Sequence, residues 1–398
     1  MIYVGIDVAS DKHDCCIIAD TGEVLRDTFT ISNNREGFES LSKAIVSFSS
    51  DKKFEDVSPS QGVRIGLEAT GHYSTNLVNF LKSKEFQMTI FNPLHVNLFR
   101  KARSLRKTKT DKTDARFIAA MLFSDDSKSH TPVSYQISEL KSLVRNRFRL
   151  ISFRSKLKVS VSRLITVLFP ELHTAVWSVN QSSSYALLLE FPTAQAIAEC
   201  HLTRLTNILS DGSNGHYGKT KAVKIKELAS NSIGTNSRAM GFELQQTIRL
   251  IDNLQAEIDA VDKQIKEVMK EINSPILSIP GISYTLGSII IAEIGDISNF
   301  GNPAKLLAFA GLEPSIYQSG KFTAGNTPMV KRGSTYLRWA FLTAARLVVM
   351  RDNTFKDYYN KKIAEGKHHF VAISHVGKKL LRVVFHLLKT NSAFIPQT

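Results

Sequence analysis

The chain has few of the cysteines that cross-link small secreted proteins, and it lacks the long apolar runs that anchor a protein in a membrane. Its 398 residues include three cysteines, of which Cys15 and Cys16 are adjacent. No CxxC pair occurs, which excludes a disulfide framework or a cysteine zinc site and is typical of a reducing cytoplasm. No apolar run approaches the roughly 20 residues that span a bilayer. The start, MIYVGIDVAS, lacks the basic and apolar regions of a secretory signal. We therefore expect a cytoplasmic protein of two or three domains with no membrane partner.

Acidic residues are also scarce relative to basic ones. The chain has 51 Lys and Arg residues against 36 Asp and Glu residues, a formal net charge of +15. Residues 1–130 are almost balanced, with 18 basic and 17 acidic residues, so +14 of this charge belongs to residues 131–398. Because each neutralised phosphate releases counterions, such a surplus favours a nucleic-acid partner over an anionic membrane or a role in solubility alone.

The first 125 residues alternate between strand-like and helix-like segments. Three strands are predicted in IYVGID, HDCCIIA and EVLRDTFTI, with a hairpin turn in ADTGE and then a helix capped by Asn33 or Asn34. A strand in VRIGLEAT, a helix in YSTNLVNFLKSK, a strand in QMTIFN and a helix in DKTDARFIAAMLF follow. This order is that of an α/β ribonuclease H-like domain, in which the first and fourth strands are neighbours.

The rest of the chain is predicted to be mainly helical. Residues 137–168 form a long basic helix, and residues 244–272 repeat apolar side chains at spacings of three and four, which is typical of a coiled coil. These helices could pair within one chain or between chains. Residues 171–240 are less regular, with an exposed loop in SDGSNGHYG. We expect three domains: 1–130, 131–274 and 275–398.

After Pro275 the segment SIPGISYTLGSIIIAEIGD predicts a Pro-Gly turn between two helical segments. A helix-hairpin-helix unit with such a turn presents backbone N–H groups to phosphate, whereas an ordinary packing unit has no such role. Residues 335–350 and 370–390 have the apolar periodicity of helices and complete a compact, mainly α-helical C-terminal domain.

Four carboxylates stand at the ends of predicted elements. Asp7 ends the first strand and Glu68 the fourth, at the edge of a sheet where ligands commonly bind. Asp111 and Asp114 share one face at the start of a helix, although aspartates there also suit the helix dipole. In this order, the four predict a site for hard divalent cations such as Mg²⁺. Two such ions about 4 Å apart support phosphodiester chemistry.

The segments GIDVASDKHD, LEATGHY and KTDKTDAR, in this order, resemble motifs of the DEDD insertion-sequence transposases with a RuvC-like catalytic domain. This is the bridge-RNA-guided recombinase group, which includes some site-specific invertases. The resemblance continues in SIPGIS, LLAFAGLEPSIYQSGK and KRGSTYLRWA. It implies that Asp7, Glu68, Asp111 and Asp114 are the catalytic tetrad and bind Mg²⁺. One departure is Ser10, where many relatives have Lys.

The resemblance also implies a nucleophile. Ser319, in YQSGK, matches the serine that relatives use to attack DNA, with Ser315 and Ser334 as lesser alternatives. Lys321 could steady a phosphate. No histidine lies within ten positions of Ser319, so its activation would have to come from elsewhere. The resemblance implies a composite site in which the carboxylates and the serine meet across subunits.

The implied enzyme is a transposase that cuts and rejoins DNA through a phosphoserine link, guided by a structured RNA. It would act at the nucleoid as a homodimer or tetramer. We expect nucleic-acid contacts from basic residues that precede Asp111, from the long basic helix and from the C-terminal domain. These residues are Arg103, Arg106, Lys107, Lys109, Arg145, Arg149, Lys321, Lys331, Arg332 and Arg338.

Three other functions fit parts of the pattern. A RuvC-like metal-dependent nuclease or Holliday-junction resolvase would use the tetrad alone and would not need Ser319. An actin-like or sugar-kinase ATPase shares the opening GID, but the segment DVASDKHD has none of the glycines of a phosphate loop. A non-catalytic nucleic-acid scaffold would need the charge but not the carboxylates.

Overall fold

The computed structural model describes residues 1–49, 62–68, 73–91, 93–103, 111–124, 134–315, 318–319, 322–323 and 328–396. The chain divides into two compact units, Met1–Pro132 and Val133–Thr398. The first unit is a mixed α/β sheet domain and the second is mostly helical. In the parts of the chain that are described, no helix is long and apolar enough to cross a membrane.

Five strands form the sheet of the first unit: β1 Ile2–Val8, β2 Lys12–Ala19, β3 Val24–Ser32, β4 Val63–Glu68 and β5 Gln87–Phe91. Their order is β3-β2-β1-β4-β5. β1 and β2 are antiparallel, as are β2 and β3, whereas β1 is parallel to β4 and β4 to β5. The prediction that the first and fourth strands are neighbours is confirmed, and the order is consistent with a ribonuclease H-like sheet.

Four helices accompany the sheet: α1 Arg35–Ser49, α2 Thr75–Ser83, α3 Pro93–Arg103 and α4 Asp111–Ser124. Asn34 caps α1, since its side-chain oxygen accepts the backbone N–H of Gly37 at 2.8 Å. α1 and α2 pack on one face of the sheet through buried apolar residues such as Leu41, Leu77 and Leu81. α3 was not predicted, because its basic last turn was read as part of a longer charged run. Pro93 begins this helix, a position that suits proline.

α4 lies directly against β1 on the other face. A Cβ atom placed on Gly5 would come within 2.1 Å of the carbonyl oxygen of Ala115 and 2.3 Å of the amide nitrogen of Ala119. Farther along, the rings of Tyr3 and Phe123 meet edge to face at 5.7 Å. The end of α4 therefore lies beside the start of β1, and the two elements run in opposite directions.

The second unit contains twelve α-helices within its described residues: α5 Tyr135–Leu168, α6 Leu172–Ala175, α7 Ser182–Glu190, α8 Ala194–Glu199, α9 Leu202–Gly212, α10 Lys219–Ser230, α11 Arg238–Ile272, α12 Tyr284–Ile294, α13 Pro303–Phe309, α14 Thr335–Arg351, α15 Asn353–Ala364 and α16 His369–Thr390. A short antiparallel pair, β6 Gln318–Ser319 and β7 Phe322–Thr323, lies between α13 and α14.

The two long helices, α5 and α11, pair with each other within one chain. Arg147 binds Asp262 through two contacts of 2.5 and 3.0 Å, and Arg163 binds Glu243 at 2.8 Å. Between these pairs, Arg154 donates to Gln255. The partners recede along α11 as they advance along α5, so the helices are antiparallel. The question of whether they pair within or between chains is thus answered for this contact.

Residues 171–240, predicted to be less regular than the long helices on either side, contain five short helices. α6 to α10 lie there, and with the end of α5 and the start of α11 they enclose an apolar core. These helices have 4 to 12 residues, too short for a strong periodic signal. The predicted loop SDGSNGHYG is confirmed for residues 213–218, where Asn214 and Gly215 take left-handed backbone angles.

A second apolar core joins α12, α14, α15 and α16 to the start of α5 and the end of α11. The predicted Pro-Gly turn precedes α12, and Gly281 has a φ of +100°. Ser283 caps α12, because its hydroxyl accepts the N–H of Leu286. Every residue of α12 from Leu286 to Ile294 is buried, so the body of this helix is a packing element.

The contact at Gly5 generates a stability prediction. We expect Gly5→Val to lower the free energy of unfolding by about 2–3 kcal/mol or more, because the added carbons collide with backbone that side-chain rotation cannot move. Urea unfolding followed by circular dichroism measures this. Gly301→Ala is the control, since the nearest atom to its new Cβ would be 3.8 Å away. Equal midpoints for the two variants would contradict the close approach of α4 to β1.

Candidate active site

Asp7 and Glu68 end up beside each other on the sheet. Ile6 pairs with Leu67 in the parallel ladder between β1 and β4, and each carboxylate is the next residue along its strand. Side chains alternate between the two faces of a strand. Two residues before them, Gly5 and Gly66 both face α4. The carboxylates therefore lie on the α4 face, at the C-terminal ends of two parallel strands, and both residues are half-buried.

The first turn of α4 lies at the same end of β1, because α4 runs opposite to that strand. Asp114 in this turn is only 5% exposed. Its two oxygens accept from one nitrogen of the Arg100 guanidinium, at 3.2 and 3.3 Å, and a second nitrogen of Arg100 donates to Asn97 at 3.0 Å. Asp111 is the first residue of α4, and its side chain lies outside the described part of the structure.

Asp14 is a carboxylate that the sequence pattern did not single out. It lies directly opposite Asp7 in the β1–β2 ladder and is 4% exposed. Thr30 on β3 donates its hydroxyl to Asp14 at 2.5 Å. Asp14, Asp7 and Glu68 thus form a row across three adjacent strands on one face. The signal in the sequence is an acidic residue within KHDCCIIA, a strand whose central residues are buried on both faces.

The donor set suits a hard divalent cation in kind, since it consists of carboxylate oxygens. Among the side chains that the structure describes, however, no three His, Cys, Asp or Glu groups are close enough to hold one ion together. Both oxygens of Asp114 are held by Arg100. The described carboxylates are therefore brought to one edge of the sheet, but they do not form a finished metal centre.

Ser319 is the last residue of β6 and pairs with Phe322 of β7. Its side chain, and the whole of Lys321, lie outside the described residues. Of the two alternatives, Ser315 donates its backbone N–H to Pro328 at 2.8 Å. Ser334 caps α14 by accepting the N–H of Leu337, and its hydroxyl donates to Glu293 at 2.8 Å. The hydroxyl of Ser334 is thus engaged in a structural contact.

Arg145 and Glu293 form an ion pair next to Ser334, the residue that caps α14. The Glu293 side chain is 2% exposed, and Arg145 donates to it from two nitrogens, at 3.0 and 3.4 Å. Burial lowers the pKa of neighbouring Lys141, Glu293 opposes that change and Arg145 adds to it. Arg145, predicted as a nucleic-acid contact, thus has a structural partner that a sequence distance of 148 residues conceals.

The other basic residues predicted to bind nucleic acid have varied settings. Arg149 is exposed and donates to Asn146 at 3.3 Å. Lys331 and Arg332 are exposed at the start of α14, where Lys331 has a φ of +58°. Arg338 donates to the backbone oxygen of Lys331 at 3.0 Å and so supports this turn. Arg103 ends α3, with its side chain outside the described part, and Arg106, Lys107 and Lys109 lie outside it altogether.

The burial of Glu293 generates a prediction for its partner. We expect Arg145→Met to lower the free energy of unfolding by about 2–3 kcal/mol, because a buried carboxylate loses its counter-charge while Ser334 keeps one bond to it. Arg149→Met removes the same charge from an exposed site and should change stability by less than about 0.5 kcal/mol. Urea unfolding followed by tryptophan fluorescence compares them. Similar losses in both variants would contradict a structural role for Arg145.

Two family profiles match the chain. Residues 4–170 match a family profile described as a transposase of the DEDD type, and residues 273–360 match the profile of the transposase IS116/IS110/IS902 family. The first match contains the whole carboxylate edge, and the second contains Ser319, Glu293 and the turn before α14.

Individual relatives resemble the chain along most of its length or over part of it. The insertion element IS116 protein of Streptomyces clavuligerus is 27% identical, over 99% of this chain and 96% of its own. The pilin gene-inverting protein of Moraxella bovis is 24% identical, over 98% and 97%. The transposase for insertion sequence element IS1111A of Coxiella burnetii is 29% identical over 31% of this chain and 34% of its own. With both profiles matched in order along one chain, the protein belongs to the IS116/IS110/IS902 family of insertion-sequence transposases and is a DNA transposase or recombinase.

Proposed function

We propose that this transposase cuts and rejoins DNA strands through a phosphoserine intermediate. The observation that carries the proposal is the row of carboxylates at the C-terminal ends of β1 and β4, with the first turn of α4 at the same end. This arrangement supports assignment of the first unit as a RuvC-like, ribonuclease H-like catalytic domain. A helical region over 131–274 and a serine-bearing domain over 275–398 complete the proposed division.

The proposed metal ligands are Asp7, Glu68, Asp111 and Asp114. A bound Mg²⁺ would supply a Lewis acid for the phosphodiester and neutralise these carboxylates. Asp7 and Glu68 lie next to each other because β1 and β4 are neighbouring strands. The Arg100 guanidinium forms an ion pair with Asp114. Arg100 would have to release Asp114 before this carboxylate could bind a cation.

We also assign Asp14 to this site, as a residue that positions Asp7. The two side chains project from directly opposed residues, whose Cβ atoms in such a ladder are about 5 Å apart. The hydroxyl of Thr30 fixes Asp14 from the far side. Two carboxylates in this arrangement repel each other, and a shared cation nearby would relieve the repulsion.

Ser319 is the proposed nucleophile. As its Oγ–P bond forms, the P–O bond to the departing deoxyribose oxygen breaks, and the serine proton ends on the released strand hydroxyl. Attack by a strand hydroxyl on the phosphoserine then reverses these changes and rejoins DNA. Because the phosphodiester energy is retained in the ester, the cycle needs no ATP. Support for Ser319 comes from the SG motif and from its position within the matched region.

The proposed partners are the ends of the element, a target DNA and a structured guide RNA. The surplus of +14 beyond residue 130 supports nucleic-acid binding by the second unit. We further propose that a homodimer, or a tetramer in the synaptic complex, carries out strand exchange at the nucleoid. The predicted nucleic-acid contacts, including Lys321, Lys331, Arg332 and Arg338, belong to this proposal.

Excision of the element in cells tests the composite mechanism. The gene with its native flanks is compared with Ser319→Ala, Asp7→Asn and Asp111→Asn by quantitative PCR across the circular junction. We expect each variant to lose the junction by at least about a hundredfold, the scale of removing a catalytic group. Ser315→Ala and Asp27→Asn are matched controls, a neighbouring serine and an exposed aspartate of β3, and should excise normally.

Two results would contradict the proposal in different ways. If the aspartate variants fail while Ser319→Ala still excises, the carboxylates act alone, as in a RuvC-like nuclease or resolvase. If Asp7→Asn and Asp111→Asn both excise like the controls, the carboxylate edge is not the catalytic site.

A measurement of thermal stability tests whether Asp14 acts through its charge near the proposed metal site or only through strand pairing. Asp14→Asn keeps an oxygen for Thr30 but removes a charge. We expect it to raise the metal-free melting midpoint of the first unit by about 1–2 °C, since like-charge repulsion across a strand pair costs roughly 0.5 kcal/mol. We expect it also to reduce the further rise caused by Mg²⁺. Calorimetry with and without Mg²⁺ measures both, with Asp27→Asn as the control. A lower metal-free midpoint with an unchanged Mg²⁺ effect would limit Asp14 to strand pairing.

A further inference from the structure

A basic cavity lies at the C-terminal end of the second unit, and none of its lining residues is among those assigned above. It has a volume of about 480 Å³ and lies between α16, the start of α15 and the tail that follows α16. Its rim carries Lys379, Arg382 and His386, and Val383, Leu387 and Phe394 supply apolar surface. No acidic residue lines it. Cavities of this size commonly hold small organic ligands.

The helix α16 is strongly basic. This helix has four Lys or Arg residues and three histidines in 22 positions, and it has no acidic residue. Among the residues that the structure describes, no Lys or Arg of α16 forms an ion pair. Burial, and next the charge of Arg382, lower the pKa of Lys378. Positive charges packed this closely favour an anionic partner.

The cavity is held open by specific contacts. Asn391 has a left-handed φ of +51° and turns the chain back along α16. The N–H of Phe394 donates to the hydroxyl of Ser278 at 2.8 Å, and the ring of Phe394 stacks on Phe355 at 5.9 Å. Lys379 donates to the backbone oxygen of Thr354 at 3.3 Å. The tail and the rim therefore have a definite geometry before any ligand binds.

We infer that this cavity receives one unpaired nucleotide of a bound nucleic-acid strand. Arg382 and Lys379 would contact its phosphate, and His386 could donate a ring N–H. The base would lie against the apolar wall that includes Phe394, as bases do on aromatic side chains in single-strand binding proteins. Bases inside a duplex are stacked and paired, so only an unpaired or extruded nucleotide could enter.

The inference deepens the proposed function, because it names where a nucleic-acid strand would be held, but its test does not depend on catalysis. Fluorescence anisotropy with the full chain in EDTA measures binding of a labelled single-stranded DNA, an RNA of the same sequence and the blunt duplex. If Ser319→Ala, Asp7→Asn and Asp111→Asn all excised normally while selective single-strand binding was observed, the proposed mechanism would be refuted and this site would stand.

Three variants separate the cavity from the general charge of the helix. Arg382→Gln removes a rim charge, and Ala393→Trp fills the cavity from an exposed position without changing charge. We expect each to weaken single-strand binding by about tenfold, the scale of losing one stacked base, and duplex binding by less than about twofold. Lys389→Gln removes the same charge from α16 outside the cavity and should weaken both forms equally, by about twofold.

The result that would overturn the inference is equally definite. Equal losses in Arg382→Gln and Lys389→Gln, with Ala393→Trp binding as the wild type does, would show that α16 is only an electrostatic surface. Equal loss of single-strand and duplex binding in Arg382→Gln would do the same. A selective loss seen with DNA and RNA alike supports nucleotide recognition, and a loss confined to one of them supports that strand as the ligand.

Discussion

The backbone contact between α4 and β1 is the constraint on which the carboxylate edge depends. Only glycine at position 5 lets the helix lie so close that its backbone meets the strand. That contact fixes the direction of α4, and with it the end of the sheet at which Asp111 and Asp114 begin the helix. A larger residue would lift the helix away from the sheet, and the two pairs of carboxylates would separate.

A second constraint holds the larger unit together. α5 and α11 span both of its apolar cores, and buried residues of each helix belong to each core. Ion pairs also join the two helices midway, for example between Arg147 and Asp262. This explains why α5 is so basic in sequence: part of its charge is matched by acidic residues on α11.

The predictions succeeded where a local pattern carried the information. Strand β1 ends at Val8, one residue after the predicted end at Asp7. The two long helices end at their predicted residues, 168 and 272, and begin two and six residues before their predicted starts. The predictions failed for α3 and for α6 to α10, where short amphipathic segments or a charged run hid the periodicity. Asp14 was overlooked for another reason: its importance comes from Asp7 and Thr30, residues on other strands.

The sequence alone determined the order of the five sheet strands, the two long helices, the four candidate carboxylates, the SG motif and the excess of positive charge, because each is a property of residue type and local spacing. Tertiary structure decided which charges have partners. Arg145 is committed to Glu293 and Arg100 to Asp114, while α16 keeps unpaired charges around a cavity. Such pairings depend on packing between segments far apart in the chain. A difference of a few ångströms decides whether a charged side chain has a partner, and no local sequence pattern contains that distance.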